Sequence, residues 1–162
     1  KELPPLNQTE LTSLLKAEGA SFVTLTKRGQ LRGCIGTLEP SLPLAEDVRE
    51  HAIAAALNDY RFSNVRAEEL DEIKIEISRL TVPTLLDYDG PDDLLAKIRP
   101  GVDGIVLRDA PRRATFLPQV WKQVPDKVDF LGQLCQKMGA SRDLWQRKKL
   151  EVLIYQVEEF HE

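Results

Sequence analysis

The sequence predicts a mixed α and β fold, mainly antiparallel sheet with helices packed on it. Two hairpin signatures and two strongly patterned helices carry that expectation. Ser21 to Thr26 alternates around Phe22, Thr24 and Thr26, turns through Lys27-Arg28-Gly29-Gln30, and returns as Leu31 to Gly36. Ile105 to Leu107 and Ala114 to Leu117 flank a second turn at Asp109 to Arg112. One helical pattern starts at Pro43 and runs to about Leu57, with Val48, Ala52, Ala55 and Ala56 on one stripe. Another, capped by Asp126, carries Phe130, Leu131, Leu134, Cys135 and Met138 and stops at Gly139.

The remaining elements follow in order. Asn7-Gln8-Thr9-Glu10 has the form of a capping box, and Leu11, Leu14 and Leu15 follow at helical spacing, so a first helix is expected up to Gly19. In the first hairpin the loop length is open, and a slip of one residue exchanges which side chains share a face with Cys34. The alanine stripe of the next helix means close packing against a sheet. Asp59 falls at the end of that stripe, beside a helix C-terminus whose dipole disfavours an anion by about 0.3–1 kcal/mol. Arg61 is the nearest compensating cation, and a structural salt bridge is the plain reading.

Ser63 to Glu69 is polar and turn-like. Glu72 to Thr81 reads as a strand with Ile73, Ile75 and Ile77 on a dry face and Lys74, Glu76 and Ser78 on a wet one. Gly90-Pro91 opens a short helix with Leu94, Leu95 and Ile98. Pro118 should be a first helical residue, which makes Leu117 a cap that cannot accept from the N–H groups of Gln119 and Val120. Water or an acidic ligand group would then have to accept them. Leu150 to Phe160 reads as a last, central strand, apolar on both sides at Val152 to Ile154.

Composition narrows the function classes. The 162 residues are 42% hydrophobic, enough for one real core and short for two independent domains, so a single domain over 1–162 is expected. A net charge of −4 argues against a phosphate footprint as the main business, and Arg147-Lys148-Lys149 reads as a solvated face. Two cysteines without ligand spacing fit a reducing cytoplasm, and no apolar run approaches the ~20 residues of a membrane span. His51 reads as a helix-boundary residue, and His161 lies near a terminus where disorder is the default. The two histidines lie far apart, so no metal site is expected; nor is a cofactor, since Walker and dinucleotide fingerprints are absent.

Leu31-Arg32-Gly33-Cys34-Ile35-Gly36 is the stretch that carries chemistry. Each strand glycine costs about 0.5–1 kcal/mol against alanine. Two of them around a thiol, beside a guanidinium, suggest a surface left bare for something to approach the backbone. By alternation Arg32, Cys34 and Gly36 point one way and Leu31, Gly33 and Ile35 the other.

That stretch, with Phe22-Val23-Thr24-Leu25, Asp59-Tyr60-Arg61-Phe62, Glu76-Ile77-Ser78, Leu80-Thr81, Pro100-Gly101-Val102-Asp103-Gly104 and Ala114-Thr115-Phe116-Leu117-Pro118-Gln119-Val120-Trp121, resembles the AMMECR domain family, the A component of the AmmeMemoRadiSam system. Tyr60 stands where the family often has proline or serine. The resemblance implies an α+β fold with a larger and a smaller lobe around a cleft. It also implies association with a Memo-type protein and a radical-SAM enzyme, and it brings no settled activity.

Cys34 is the one thiol that a helical core stripe does not explain. An ordinary thiol, with a pKa of about 8.5, is only a few per cent thiolate at neutral pH. A guanidinium nearby favours the thiolate, and Arg32 lies about 6.6–6.8 Å along the same strand face. Glu76 and Asp59 are the candidates for acid–base work. Arg32, Gly33, Gly36, Arg61, Ser78 and Thr115 are the candidates for holding a substrate. Two readings stay open: an enzyme or enzyme subunit modifying a small molecule, peptide or RNA through Cys34, and a binding module for an anionic ligand or a partner chain.

Overall fold

A computed structural model describes residues 3–162. In chain order its helices and strands are α1 (Ser13–Lys16), β1 (Glu18–Lys27), β2 (Gln30–Gly36), β3 (Leu42–Pro43), α2 (Leu44–Leu57), β4 (Ile73–Leu80) and β5 (Thr84–Leu85). There follow α3 (Pro91–Lys97), β6 (Gly104–Asp109), β7 (Arg112–Phe116), α4 (Lys127–Lys137), α5 (Leu144–Arg147), β8 (Glu151–Tyr155) and β9 (Val157–His161). Short 3-10 turns cover Ala67–Glu72 and Pro118–Lys122. The described residues divide into two compact units, residues 3–82 with 158–162, and residues 83–157. No helix among the described residues is long and apolar enough to cross a membrane.

The first unit is a sheet in the order β2-β1-β4-β9, with β3 paired to the start of β1. β1 runs antiparallel to both β2 and β4, and the first hairpin closes through Arg28 and Gly29, both at positive φ. That two-residue turn and a bulge in β2 after Leu31 together set the register: Thr24 sits opposite Cys34 on one side, and the β4 pairing puts Glu76 on its other. One face of the sheet, through Val23, Leu25, Ile35 and Ile77, packs on Val48, Ala52, Ala55 and Ala56 of α2, as the alanine stripe requires. Gly33 lies on that inner face, and a Cβ there would run into the Ala55 carbonyl.

The second unit is a sheet in the order β5-β8-β6-β7 over a core of Leu94, Ile98, Ile105, Leu107, Trp121, Phe130, Leu131, Leu134 and Cys135. Trp121 stacks on Phe130 at 3.7 Å between ring centroids, and its indole N–H donates to the Asp103 carbonyl at 2.7 Å. Gly104 faces Tyr155 across the ladder, and its bare α-carbon makes room for the tyrosine ring. Burial pushes the Tyr155 hydroxyl up to about 12, and it bonds with Thr115 at 2.9 Å. Cys135 is fully buried, a small core hydrophobe as the helical stripe predicts.

Three sequence expectations are corrected. The first helix has only four residues and is capped by Thr12, not begun at Asn7. The Asn7 side chain instead accepts from the backbone and hydroxyl of Thr9, a local turn that competes with helix. Gly19 belongs to β1 and lies against Leu44, where an added Cβ would crowd its side chain. The last apolar run is two strands: β8 sits centrally in the second sheet, and after Gln156 β9 joins β4 in the first. Near Pro118 the orphan donor of Val120 is met by the Leu117 carbonyl at 3.0 Å, the tighter bond of a 3-10 turn, so that N–H needs no ligand group.

Candidate functional site

Alternation and register build one polar row across the first sheet, on the face turned away from α2. Cys34 on β2, Thr24 on β1 and Glu76 on β4 stand side by side, and His161 on β9 follows, its Nδ1 3.2 Å from Glu76 Oε2. The Cys34 sulfur is half-buried and touches the Thr24 hydroxyl at 3.3 Å. Ser78 shares this face next to Phe22 and is almost fully buried.

The backbone of Cys34 is gripped from the loop that follows α2. Its N–H donates to Asp59 Oδ2 at 2.9 Å, and its carbonyl accepts from Arg61 Nη2 at 3.4 Å. Arg61 also forks onto Asp59, with Nε to Oδ1 at 3.0 Å and Nη2 to Oδ2 at 2.7 Å, while its own backbone N–H adds a bond at 3.2 Å. Asp59 is the compensated anion expected at the end of the helix. The Arg61 guanidinium foremost, then the donated backbone bonds, hold its carboxyl well below the usual carboxylate range. Such a group stays ionised and fully bonded, which suits it to positioning and not to proton transfer.

Arg32 does not share the thiol's surroundings. The register shifts between Leu25 and Thr26, which pair with Gly33 and Leu31, so Arg32 is the extra residue of a bulge. Its guanidinium clasps Glu69 through Nε and Nη2 at 3.0 and 3.1 Å and donates to the Ser63 carbonyl at 2.8 Å. Glu69 also takes the Lys27 ammonium and the Arg66 backbone N–H. These partners, Arg32 first, lower its carboxyl to about 2. Both arginines proposed from the sequence as anion holders are thus bonded to carboxylates of the chain itself.

The bare floor expected at the glycines is occupied. The Ala55 carbonyl lies where a side chain at Gly33 would go, and the Phe22 ring and Ser21 carbonyl fill the same space at Gly36. Close packing, not ligand access, explains both. Thr115 lies in the second unit, where its hydroxyl donates to the Ile105 carbonyl at 2.8 Å and meets Tyr155. The basic run is solvated and partly paired, Arg147 with Asp143 and Lys148 with Asp109.

Sequence reasoning missed two groups. Glu69 lies 37 residues from Arg32, and nothing local announces the pair. On the inner face Ser21 donates to Asp47 Oδ2 at 2.6 Å, and His51 Nδ1 meets the same oxygen at 3.1 Å. The i, i+4 spacing of Asp47 and His51 was visible on the helix, but their strand partner was not. Ser21 Oγ also lies 3.4 Å from His51 Nδ1, but its proton goes to the aspartate at the shorter 2.6 Å. Asp47 shares one oxygen with both partners, so the three groups form a polar clasp between α2 and β1 and not a linear nucleophile–base–acid relay. His161, expected to be disordered, is instead held in β9 beside Glu76.

The family model described as AMMECR1 matches residues 1–160. A protein of Methanothermobacter thermautotrophicus is 40% identical over 154 residues, covering 94% of this chain and 80% of the relative. Protein MK0488 of Methanopyrus kandleri is 39% identical, covering 100% of this chain and 77% of the relative. The crystal structure of the uncharacterized protein PH0010 from Pyrococcus horikoshii superposes with a TM-score of 0.88 at 34% identity, over 100% of this chain and 81% of that one. A match over nearly the full length, joined to a shared α+β architecture, settles the kinship: the chain belongs to the AMMECR1 family.

Proposed function

We propose that this protein is an enzyme or enzyme subunit that modifies a small-molecule or peptide substrate through the thiol of Cys34, on the polar face of its first sheet. The observation that carries this reading is the grip on Cys34. A buried carboxylate and its guanidinium bind the peptide groups on either side of one half-buried sulfur, and such support fixes where a reactive atom stands. Thr24 is the hydroxyl in contact with the sulfur, and Glu76, next in the row, is the carboxylate assigned to proton transfer, because Asp59 is fully bonded and held ionised. RNA fits less well, because Arg32, Arg61, Arg147 and Lys148 are each paired with a carboxylate and the net charge is −4. The same pairings leave the anion-binding module without a supporting observation.

A Memo-type protein and a radical-SAM enzyme are the partners we propose, on the strength of the family resemblance. A cytoplasmic setting is proposed because both cysteines are free thiols. The test is reconstitution with those partners. Cys34→Ser abolishes turnover and leaves the melting temperature nearly unchanged; a serine variant as active as the parent ends the proposal.

A further inference from the structure

Glu76, Glu159 and His161 meet at the far end of the row from Cys34. One ligand atom from each, a ring nitrogen and two carboxylate oxygens, lies within 4.8 Å of the others. Glu159 and His161 are two residues apart on β9, so both leave the same face of the strand. His161 Nδ1 stands 3.2 Å from Glu76 Oε2, and its Nε2 stands 3.4 Å from Glu159 Oε2. We propose that these three side chains form a binding site for a divalent first-row transition metal ion, of the manganese-to-zinc series.

Charge is the first argument. Among the described residues, Glu76 and Glu159 form ion pairs with His161 and with no arginine or lysine. Two carboxylates and one imidazole converge at this point, and a divalent cation among them would offset both acidic groups.

Donor chemistry is the second. Imidazole nitrogen selects against magnesium and calcium, which take oxygen ligands, and the lack of sulfur selects against copper(I). Metal–ligand bonds of about 2.0–2.2 Å place ligand atoms about 3–3.5 Å apart. The side chains are 27%, 31% and 58% exposed for Glu76, Glu159 and His161, so rotation on fixed strands can close the remaining gap, and water can fill the open positions. This departs from the sequence expectation of no metal site, because Glu76 and His161 become neighbours only through the β4–β9 pairing.

The experiment needs no enzymatic assay. Chelator-stripped protein is titrated calorimetrically with Zn2+, and with Co2+ followed by its visible absorption. One equivalent binds per chain, and the cobalt spectrum has no thiolate charge-transfer band. His161→Ala and Glu76→Gln each weaken Zn2+ binding by about 10–100-fold or more, the range that loss of even an outer-shell partner brings. Glu159→Gln, on the exposed edge strand, is the second carboxylate test, and circular dichroism confirms the fold of each variant. Cys34→Ala binds as the parent does. An absence of binding, affinity unchanged in the His161 and Glu76 variants, or binding lost with Cys34 each overturns the site. The site shares Glu76 with the proposed reaction but not its dependence on the thiol. A negative titration therefore leaves the Cys34 reading standing, and an inactive thiol leaves the metal site standing.

Discussion

Asp59 accepts the backbone N–H of Cys34 at 2.9 Å, across 25 residues of sequence, and so ties the edge strand of the first sheet to the loop after α2. An edge strand presents unpaired N–H and C=O groups, and here the carboxylate and Arg61 take up both groups at the residue that carries the thiol. One ion pair thereby protects an edge and positions a sulfur.

The first prediction tests that grip. Asp59→Ala strands the Cys34 N–H and frees a guanidinium that is itself 46% exposed, so the loss is about 2–3 kcal/mol, below the range for fully buried pairs. Arg61→Ala costs at least as much, because the carboxylate it leaves is 2% exposed. Urea unfolding of both variants and of Asp59→Asn gives these values. A change within about 0.5 kcal/mol, the range of ordinary surface substitutions, contradicts the clamp.

The two thiols should part company in alkylation. Cys34 is half-buried with its sulfur against the Thr24 hydroxyl, while Cys135 is sealed in the second core, where burial pushes its thiol up. Iodoacetamide labelling of native protein, mapped by mass spectrometry, therefore marks Cys34 first. Cys135 is labelled only as the second unit unfolds. Equal labelling rates would remove the distinction on which the proposed site rests.

Much of this arrangement was legible locally. The alanine stripe predicted the α2 contact, and the spacing of Asp59 and Arg61 predicted their ion pair, whereas the dry and wet faces expected of β4 hold only in part, since Ile75 is exposed and Ser78 is buried. What escaped was long-range or bulged. A single extra residue at Arg32 redirects its guanidinium to Glu69, and no periodicity reports a bulge. Val152 to Ile154 read correctly as a central strand, yet nothing apolar marks the step at Gln156 where the chain changes sheets. The strand glycines carried a real signal, but bare backbone serves a neighbouring helix as readily as a ligand.

Acid stability should report the Arg32–Glu69 clasp. Glu69 titrates at about 2 in the folded protein against an ordinary 4.5, with Arg32 as the main cause. A carboxyl lowered on folding contributes stability that is whole above its unfolded pKa and is lost as pH falls through its folded one. The advantage of the parent over Glu69→Gln is therefore constant above about pH 5 and shrinks between about pH 4.5 and 2. Asp59, also lowered, extends the same trend to more acid pH. Urea unfolding across this range checks it, and an advantage that widens on acidification has the wrong sign.

Removing the Ser21 hydroxyl probes the inner face. Ser21→Ala leaves the buried Asp47 with His51 as its remaining side-chain partner, at a cost of about 1–3 kcal/mol. Labelling at Cys34 should not change, since the clasp lies on the opposite face of the sheet. A Ser21→Ala protein of parental stability but altered thiol reactivity would mean that the two faces are coupled.

Gly33→Ala separates packing from ligand access. The Ala55 carbonyl stands where the new methyl would go, and a helix backbone cannot swing aside as a long side chain can. Either α2 moves off the sheet or the hairpin shifts, at the upper end of the 1–3 kcal/mol typical of overpacked cores or beyond it. Since α2 packs on β1 through Val23 and Leu25 and on β2 through Ile35, the whole first unit should lose cooperativity, seen as a lower and broader melting transition. If the glycine instead kept a surface open for a ligand, Gly33→Ala would melt as the parent does and lose only binding. A parental melting curve would therefore return this stretch to the ligand-access reading.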